Sequence, residues 1–486
     1  MTETYFPEAP VTISELLRDI ALQYGDLPAV CDKEKCYTYR ELVSRIAGRG
    51  TYLSSLRLKP GDTVAVMDVN STDAMEWLPA IPAFGYRVLM LSPSLEESSL
   101  SAILRKADVR LILTPERYAG RVEKYGIPVA DIRGIGDKPS PFYPAKPDEP
   151  AAVFMTGGTD GIPKGAELTH RALMTAARHC THDTCHRRYI AMLPLFHIFG
   201  AVSGYLSCLY TGSLIRACEG LNEALRLMQS YHPTSLVLTP GIAAALMDLA
   251  DQFGPGLIGP LEEITCGAAP LPVTLKRRFM DRGVRVMCGY GMTETAGPVS
   301  LTTDCAQDPD CDGYLMPEFE AKTVNGELWL KGSSVMTGYC GDPELTENAF
   351  SDGWFRTGDL VRLESTGDRM KLTVLGRLKN MILLPDGENV YPEELERLFR
   401  EHPEVKDCLV REMECAGEPV IGIEIVPAAP GKENDSFFRQ LADEINSGLP
   451  ACKHIRKIII RDTGLPLSPA MKTVRKGTQP ETGKLL

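Results

Sequence analysis

The sequence lacks a basic excess. Its 486 residues carry 52 Lys and Arg against 64 Asp and Glu, a net charge of −12. A chain that lives on nucleic acid shows clustered positive charge, so DNA and RNA are disfavoured as main partners; a local basic patch remains compatible with the balance. No segment approaches the roughly 18 consecutive apolar residues of a membrane helix. The opening MTETYFPEAP is acidic, with neither a basic stretch nor an apolar core, so no signal peptide is expected. Cysteine is sparse for the length: fourteen residues, none in a Cys-x-x-Cys pair. That excludes a disulfide scaffold, and thiols set among apolar residues, such as Cys208, Cys266 and Cys288, fit a reducing compartment. Internal repeats and low-complexity tracts are absent too. The expectation is a cytoplasmic, enzyme-sized protein of about three domains, at roughly 150 residues per domain.

What is present is ordinary globular material, 44% hydrophobic and 24% charged. Thr12-Ile-Ser-Glu15 and Thr38-Tyr-Arg-Glu41 read as capping boxes. The first opens a helix with Leu16, Leu17 and Ile20 on one face, the second a helix carrying Leu42, Ile46 and Leu53. Apolar runs at 63–67, 87–91 and 109–114 read as buried strands, separated by helices from about Thr72 and over 95–106. Such alternation predicts a largely parallel sheet with helices on its faces. After a Pro-rich stretch at 135–151 the alternation continues to about 290, then shortens into a β-rich region over 313–375. Beyond Gly376, a helix opening at Pro392, a strand pair, a helix over 435–446 and a strand over 455–461 make a compact α+β domain.

The strongest local signal is Thr156-Gly-Gly-Thr-Asp-Gly-Ile-Pro-Lys-Gly165, which follows the apolar run 151–155. Four glycines in ten residues let backbone N–H groups approach a polyanion, while the threonines and Lys164 add donors and charge. It lacks the Gly-Lys-Ser/Thr spacing of a Walker A loop, and a Gly-rich turn without function stays open beside phosphate binding. Four more segments follow: Gly289-Tyr-Gly-Met-Thr-Glu294, Thr357-Gly-Asp359, Gly376-Arg-Leu-Lys379 and Leu465-Pro-Leu-Ser-Pro-Ala-Met-Lys472.

In this order and at these separations the five segments resemble the signature set of the adenylate-forming superfamily, which includes acyl-CoA synthetases, luciferases and nonribosomal peptide adenylation domains. The resemblance spans nearly the whole chain. It implies an α/β fold: a large N-terminal domain of stacked α/β sheets with a small β-barrel subdomain (1–375), a hinge (376–380) and a small mobile α+β C-terminal domain (381–486). It also implies the cofactors ATP, Mg2+ and coenzyme A. In the reaction it implies, a carboxylate attacks the α-phosphate of ATP to give acyl-AMP and pyrophosphate. Two anions must meet, so positive charge and N–H donors around the phosphorus are the main catalytic task.

Residue by residue, the resemblance implies that Thr156, Gly157, Gly158, Thr159, Gly161 and Lys164 hold the β- and γ-phosphates. Glu294 would bind Mg2+, a hard cation suited to carboxylate oxygen. Thr293 would donate to the α-phosphate. Tyr290, with Gly291 and Met292 beside it, would stack on adenine opposite Gly267, Ala268, Ala269 and Pro270. Asp359 would accept both ribose hydroxyls, because a carboxylate offers acceptors only, and Arg377 would add a second ribose contact. Lys472 would be the mobile catalytic lysine, Lys379 the hinge residue, and the loop at Gly387 would face the thiol. Plainer readings accompany these roles: Glu294 as a helix cap, Tyr290 as core packing, Asp359 as a turn residue, Arg377 in an interdomain salt bridge, and Lys472 as a solvated tail lysine.

The sequence also departs from the family pattern. Gly157 stands where the loop usually has serine, and Asp160 where it has threonine; a carboxylate beside a triphosphate repels it, so weak ATP binding is expected. Met471 replaces the glycine that usually precedes the catalytic lysine. Amino-acid activators carry an aspartate after a Phe in the segment matching Leu193-Pro-Leu-Phe-His-Ile-Phe-Gly200, where this chain has His197. A substrate ammonium would find no partner there, so amino acids are disfavoured.

Pro-Leu-Phe-His resembles acyl- and aryl-CoA ligases, with His197 at the carboxylate entrance or, alternatively, a hydrogen-bonded core histidine. Phe199, Val202 and the 238–247 stretch would give apolar walls. The run 387–396 resembles bacterial fatty acyl-CoA synthetases, so a medium- or long-chain fatty acid is the expected small-molecule substrate. Coenzyme A is the expected acceptor, with an acyl carrier protein as the alternative. His179, Cys180, His182, Asp183, Cys185 and His186 crowd together, but their one-sided placement favours a polar helix end over a metal site. A non-catalytic relative binding nucleotide or acyl-adenylate is the remaining alternative; joint retention of Lys472, Glu294 and Asp359 favours the enzyme.

Overall fold

The structure is a computed structural model and describes residues 9–136, 138–156, 163–181, 185–306, 308, 311–383, 389–415, 418–428, 434–465 and 484–485. The fold is the expected mixed α/β type, divided into two compact units. The larger comprises residues 1–270, 279–320 and 330–355; the smaller comprises 271–278, 321–329 and 356–486.

Both capping boxes form. Thr12 Oγ1 accepts from Glu15 N (3.2 Å) while Thr12 N donates to Glu15 Oε2 (3.0 Å), opening helix Ile13–Gln23. Thr38 and Glu41 repeat the exchange ahead of helix Tyr39–Ser54. Each box satisfies two N–H groups that the first helical turn otherwise leaves open. Leu16, Leu17 and Ile20 are fully buried, each contributing about 1.5–3 kcal/mol of apolar transfer. A third helix, Thr72–Ala83, is capped by Ser71 and continues through Pro79 and Pro82. Proline removes a helical N–H and strains the preceding turn. Here the helix is walled by core on nearly every side, and Tyr143 N donates to the Ala83 carbonyl at 2.8 Å. Arg49, wholly buried on the neighbouring helix, bonds Glu76, Asp73 and the carbonyls of Ile132 and Gly134.

In the larger unit one sheet runs, in spatial order, Gly338–Tyr339, Lys164–Thr169, Pro150–Thr156, Arg87–Leu91, Thr63–Met67, Val109–Thr114 and Val129–Asp131. The strands from Pro150–Thr156 onwards are parallel; the first two join antiparallel at the edge. A second run of strands places Arg188–Ile190, Ser235–Leu238, Glu263–Cys266 and Arg285–Met292 in parallel, closed on one side by antiparallel Gly297–Leu301. At its other end the hairpin Pro28–Cys31 and Cys36–Thr38 carries a disulfide between Cys31 and Cys36, which the composition argument did not anticipate. Cys208, Cys266 and Cys288 are buried, as expected.

The smaller unit contains the hairpin ladder from Asp359↔Arg377 to Thr366↔Arg369. It then forms helix Pro392–Arg400, antiparallel strands Val405–Cys415 and Glu418–Pro427, helix Asn434–Ser447 and strand Lys457–Ile460. Its core gathers Val390, Leu395, Phe399, Ile423, Ile425 and Phe438. Helix Pro392–Arg400 starts with proline at its first turn followed by Glu393 and Glu394, and ends with Arg397 and Arg400, the charge order its dipole favours. No described helix is long and apolar enough to cross a membrane.

Candidate functional site

The motif residues of the larger unit stand at the carboxyl ends of parallel strands, where open α/β sheets present their ligand sites. Strand Pro150–Thr156 runs into the glycine loop, and Lys164 begins the return strand directly opposite Thr156. Gly157, Gly158, Thr159, Asp160 and Gly161 lie outside the described residues. Gly267-Ala-Ala-Pro270 follows strand Glu263–Cys266. Gly267 is buried and donates its N–H to the Leu238 carbonyl at 3.2 Å, whereas Ala268, Ala269 and Pro270 are exposed and Ala268 has φ +71°.

The adjacent strand, Arg285–Met292, carries Tyr290, Gly291 and Met292 beyond the parallel ladder into an antiparallel pairing with Gly297–Leu301. A Cβ at Gly291 would lie 2.2 Å from the Gly297 carbonyl oxygen, so only glycine permits this pairing. Tyr290 is half-buried, with its N–H directed at Ser300 Oγ (3.4 Å).

Thr293 and Glu294 form a short 3-10 turn with Thr295. Thr295 Oγ1 closes the turn by donating to the Gly297 carbonyl at 2.8 Å. The Glu294 carboxylate does not cap this turn. It is buried and accepts at Oε1 from the hydroxyl of Tyr339 at 2.9 Å. The Tyr339 ring in turn lies beneath the Lys164 ammonium, 5.7 Å from Nζ to the ring centroid. The fold thus brings together two residues singled out in the sequence 130 positions apart, through a third that was not. The donor set suits the divalent ion that the resemblance implies: a buried carboxylate matches Mg2+, which binds through one or two carboxylates plus phosphate oxygens and keeps several waters.

His197 lies in the turn before helix Phe199–Leu206, whose wide π-type winding is common near functional sites. Its N–H donates to the Pro194 carbonyl (3.1 Å), and its ring meets Phe196 edge-on at 4.8 Å. The segment is held by Asn70, which no sequence motif marks. Asn70 Nδ2 donates to the carbonyls of Ala191 (2.8 Å) and Leu193 (2.7 Å), and Oδ1 accepts from Leu195 N (2.9 Å). An asparagine at the strand-to-helix corner before the Ser71 cap was the available signal, but its partners lie more than 120 residues away. Phe199 packs against Gly267: its Cζ would be 3.0 Å from a Cβ there.

In the smaller unit Asp359 and Arg377 face each other across the hairpin. Arg377 Nε bonds Asp359 Oδ1 at 2.7 Å and Nη2 reaches Oδ2 at 3.5 Å; the carboxylate is 2% exposed and the guanidinium side chain 41%. The ion pair therefore lies within one unit. Gly358 has φ +69° and donates its N–H to Glu327 Oε1 at 2.9 Å, while Thr357 Oγ1 donates to the Leu328 carbonyl at 2.8 Å. Lys379 is exposed on the short turn Leu378–Asn380. Gly387, Met471 and Lys472 lie outside the described residues.

The His/Cys cluster forms no group of three ligands among the described residues. His179 Nδ1 is 2.7 Å from Glu318 Oε2, Cys180 bonds Ser203, and His186 approaches the Gly212 carbonyl. His182 and Asp183 lie outside the described residues. His179 is the last residue of helix His170–His179.

Residues 17–340 match the family model described as AMP-binding enzyme. Among curated proteins the chain is 28% identical over 421 residues to a probable CoA ligase of Humulus lupulus, covering 77% of this chain and 75% of that one. It is 29% identical over 400 residues to feruloyl-CoA synthase of an Amycolatopsis species, covering 77% and 80%. Among solved structures, the o-succinylbenzoate coenzyme A synthetase of Bacillus subtilis in complex with AMP superposes with a TM-score of 0.81. That match has 23% identity and covers 97% of this chain and 99% of that one. A family match over residues 17–340, two thirds of the chain, together with Thr156 and Tyr290-Gly-Met-Thr-Glu294 at the carboxyl ends of parallel strands, places this protein among the AMP-binding enzymes.

Proposed function

We propose that the protein is an ATP-dependent acid–CoA ligase. A carboxylate oxygen attacks the α-phosphorus of ATP, the bond to the pyrophosphate oxygen breaks, and acyl-AMP forms. The thiolate of coenzyme A then attacks the acyl carbon, and AMP leaves with the oxygen of the broken acyl–phosphate bond. The observation that carries this reading is the meeting of Lys164 and Glu294 at one aromatic ring, the cation standing within the glycine-rich segment of the sequence. The names of the curated relatives, both CoA-thioester-forming, support the acceptor.

In this reading the glycine loop with Thr156 and Lys164 holds the β- and γ-phosphates, and Thr293 donates to the α-phosphate. Glu294 holds Mg2+, which supplies charge neutralisation at the phosphates. Tyr290 and the Gly267–Pro270 segment enclose the adenine, and Asp359 with Arg377 takes the ribose. His197 orients the acid's carboxylate. Lys472 neutralises charge as the two anions meet, Lys379 serves as the turning point between half-reactions, and the Gly387 loop faces the thiol. Preorganised donors of this kind act without reorganising during the reaction.

The acid is apolar in this proposal. The 387–396 run favours a medium- or long-chain fatty acid, while Pro194-Leu-Phe-His197 fits acyl and aryl acids alike. A second reading, an aryl-propenoic acid, is favoured by the feruloyl-CoA synthase relative. Carboxylate-dependent ATP–pyrophosphate exchange across fatty, aryl and amino acids tests both, with Lys472→Ala alongside. Exchange that depends on chain length and collapses in the variant supports the first reading; exchange confined to aryl acids supports the second. No exchange with any acid at saturating ATP would reject catalysis and leave a nucleotide-binding relative.

A further inference from the structure

Tyr339 carries none of the sequence signals, yet it touches both charged groups of the larger unit's site. It lies on the two-residue strand Gly338–Tyr339, paired antiparallel with the strand that Lys164 begins, in the register Tyr339↔Ala166. Its position is fixed from several sides. Tyr339 N donates to Thr346 Oγ1 at 2.9 Å, Cys340 N donates to the Gly165 carbonyl at 2.7 Å, and Met336 N donates to the Glu294 carbonyl at 2.8 Å. The backbone that presents Tyr339 is thereby tied both to the lysine strand and to the turn carrying Glu294.

Two different interactions leave this one side chain. The hydroxyl donates to Glu294 Oε1, which restrains the carboxylate while engaging only one of its two oxygens. The π-face lies under the Lys164 ammonium. Among the described residues Lys164 has no salt-bridge partner. Asp342, whose charge also reaches it, is bound by Lys106 Nζ at 2.9 Å. A neutral ring between lysine and glutamate keeps the two from collapsing into an ion pair, which would remove both from a phosphate and its metal.

We propose that Tyr339 is a positioning residue: its hydroxyl sets Glu294 for Mg2+, and its ring sets Lys164 for the triphosphate. The proposal rests on the reading that Mg2+ and ATP bind here, and the two arms of the side chain make it separable from that reading. Hydrogen-bond partners of metal-binding side chains typically change metal affinity by 10- to 100-fold. A cation–π contact at a partly exposed site contributes less.

The test is calorimetric binding of α,β-methylene-ATP to the full chain, in EDTA and at rising Mg2+, for the wild type, Tyr339→Phe and Tyr339→Leu. Thermal unfolding of each reports folding. Tyr339→Phe is expected to raise the half-saturating Mg2+ roughly tenfold and to leave binding in EDTA unchanged. Tyr339→Leu is expected to weaken binding in EDTA as well, by roughly threefold. On a Glu294→Gln background, Tyr339→Phe should add no further Mg2+ shift, since the hydroxyl acts through that carboxylate. Equal Mg2+ dependence of wild type and Tyr339→Phe would overturn the proposal. So would a loss by Tyr339→Phe of the same size with and without Mg2+, the signature of a merely structural role. Absence of nucleotide binding by the wild type would instead reject the proposed function itself, and this inference with it.

Discussion

Two opposite charges stand close together in each unit, and the units treat them differently. In the larger unit the Lys164 ammonium and the Glu294 carboxylate sit on one tyrosine, which hydrogen-bonds the acid and underlies the base. In the smaller, Asp359 and Arg377 are cross-strand neighbours and bond each other directly at 2.7 Å. A lysine and a carboxylate intended for different parts of one ligand keep their charge only if something neutral separates them. A directly bonded pair has already satisfied its charges, so a ligand reaching it must exchange one interaction for another. The first arrangement reserves electrostatic energy for binding; the second spends it on holding the hairpin. Substitutions in the first pair should therefore be read mostly in activity, and substitutions in the second in stability as well as in nucleotide binding.

The largest effect sharpens the first half of that contrast. Lys164→Met and Glu294→Gln should each lower ATP–pyrophosphate exchange by roughly 100- to 1,000-fold, the usual consequence of losing one preorganised group at a developing charge. Both should unfold close to the wild-type temperature, because glutamine still accepts from Tyr339 and methionine still covers the ring. A large fall in unfolding temperature with little change in exchange would break the comparison at its stronger end.

The next effect is smaller and asymmetric. Asp359 is 2% exposed whereas the Arg377 side chain is 41% exposed. Arg377→Met removes an ion-pair partner of a buried carboxylate, while Asp359→Asn leaves a guanidinium that can turn to solvent. Arg377→Met should cost about 2 kcal/mol, below the range for a wholly buried pair because one member reaches water. Asp359→Asn should cost about 1 kcal/mol. Calorimetric unfolding of the full chain ranks them; the reverse order would show that burial does not govern this pair.

The parts of this contrast that the sequence discloses are the local ones. The capping boxes at Thr12 and Thr38 are readable because donor and acceptor lie three residues apart. The parallel strands are readable because burial on both faces leaves an unbroken apolar run. Lys164, Glu294, Asp359 and Arg377 are legible from motif order, but not all of their partners are. Tyr339 is 45 residues from Glu294, and Asn70 is more than 120 from the segment it holds. A side chain that positions another across such distances has no periodicity and no spacing rule; only the folded sheet brings it into place. Helix Thr72–Ala83 tolerates two prolines for the same reason, since tertiary burial overrides local propensity. The Cys31–Cys36 disulfide was missed because counting cysteines per chain says nothing about two that flank a hairpin turn.

His170 offers a third way to keep a titratable group in a core, which is to leave it uncharged. It is 1% exposed at the first position of helix His170–His179, and its Nδ1 accepts from Ile13 N at 3.3 Å. Burial pushes its pKa down to about 4, against the smaller opposing pull of Glu149 and Glu15. Above the unfolded value of 6.5 the imidazole is neutral in both states and stability does not depend on it. As pH falls from 6.5 towards 4 the unfolded chain takes up a proton that the folded chain refuses, so stability falls with pH in that window. Between pH 6.5 and 5.5 the loss should be roughly 1 kcal/mol. His170→Gln, which retains an acceptor for Ile13 N, should flatten that slope while costing some stability at pH 7.5. Urea unfolding of both chains from pH 5.5 to 7.5 measures the difference. Parallel slopes would mean that other groups carry the acid sensitivity of the larger unit, and that its core holds this histidine no differently from an exposed one.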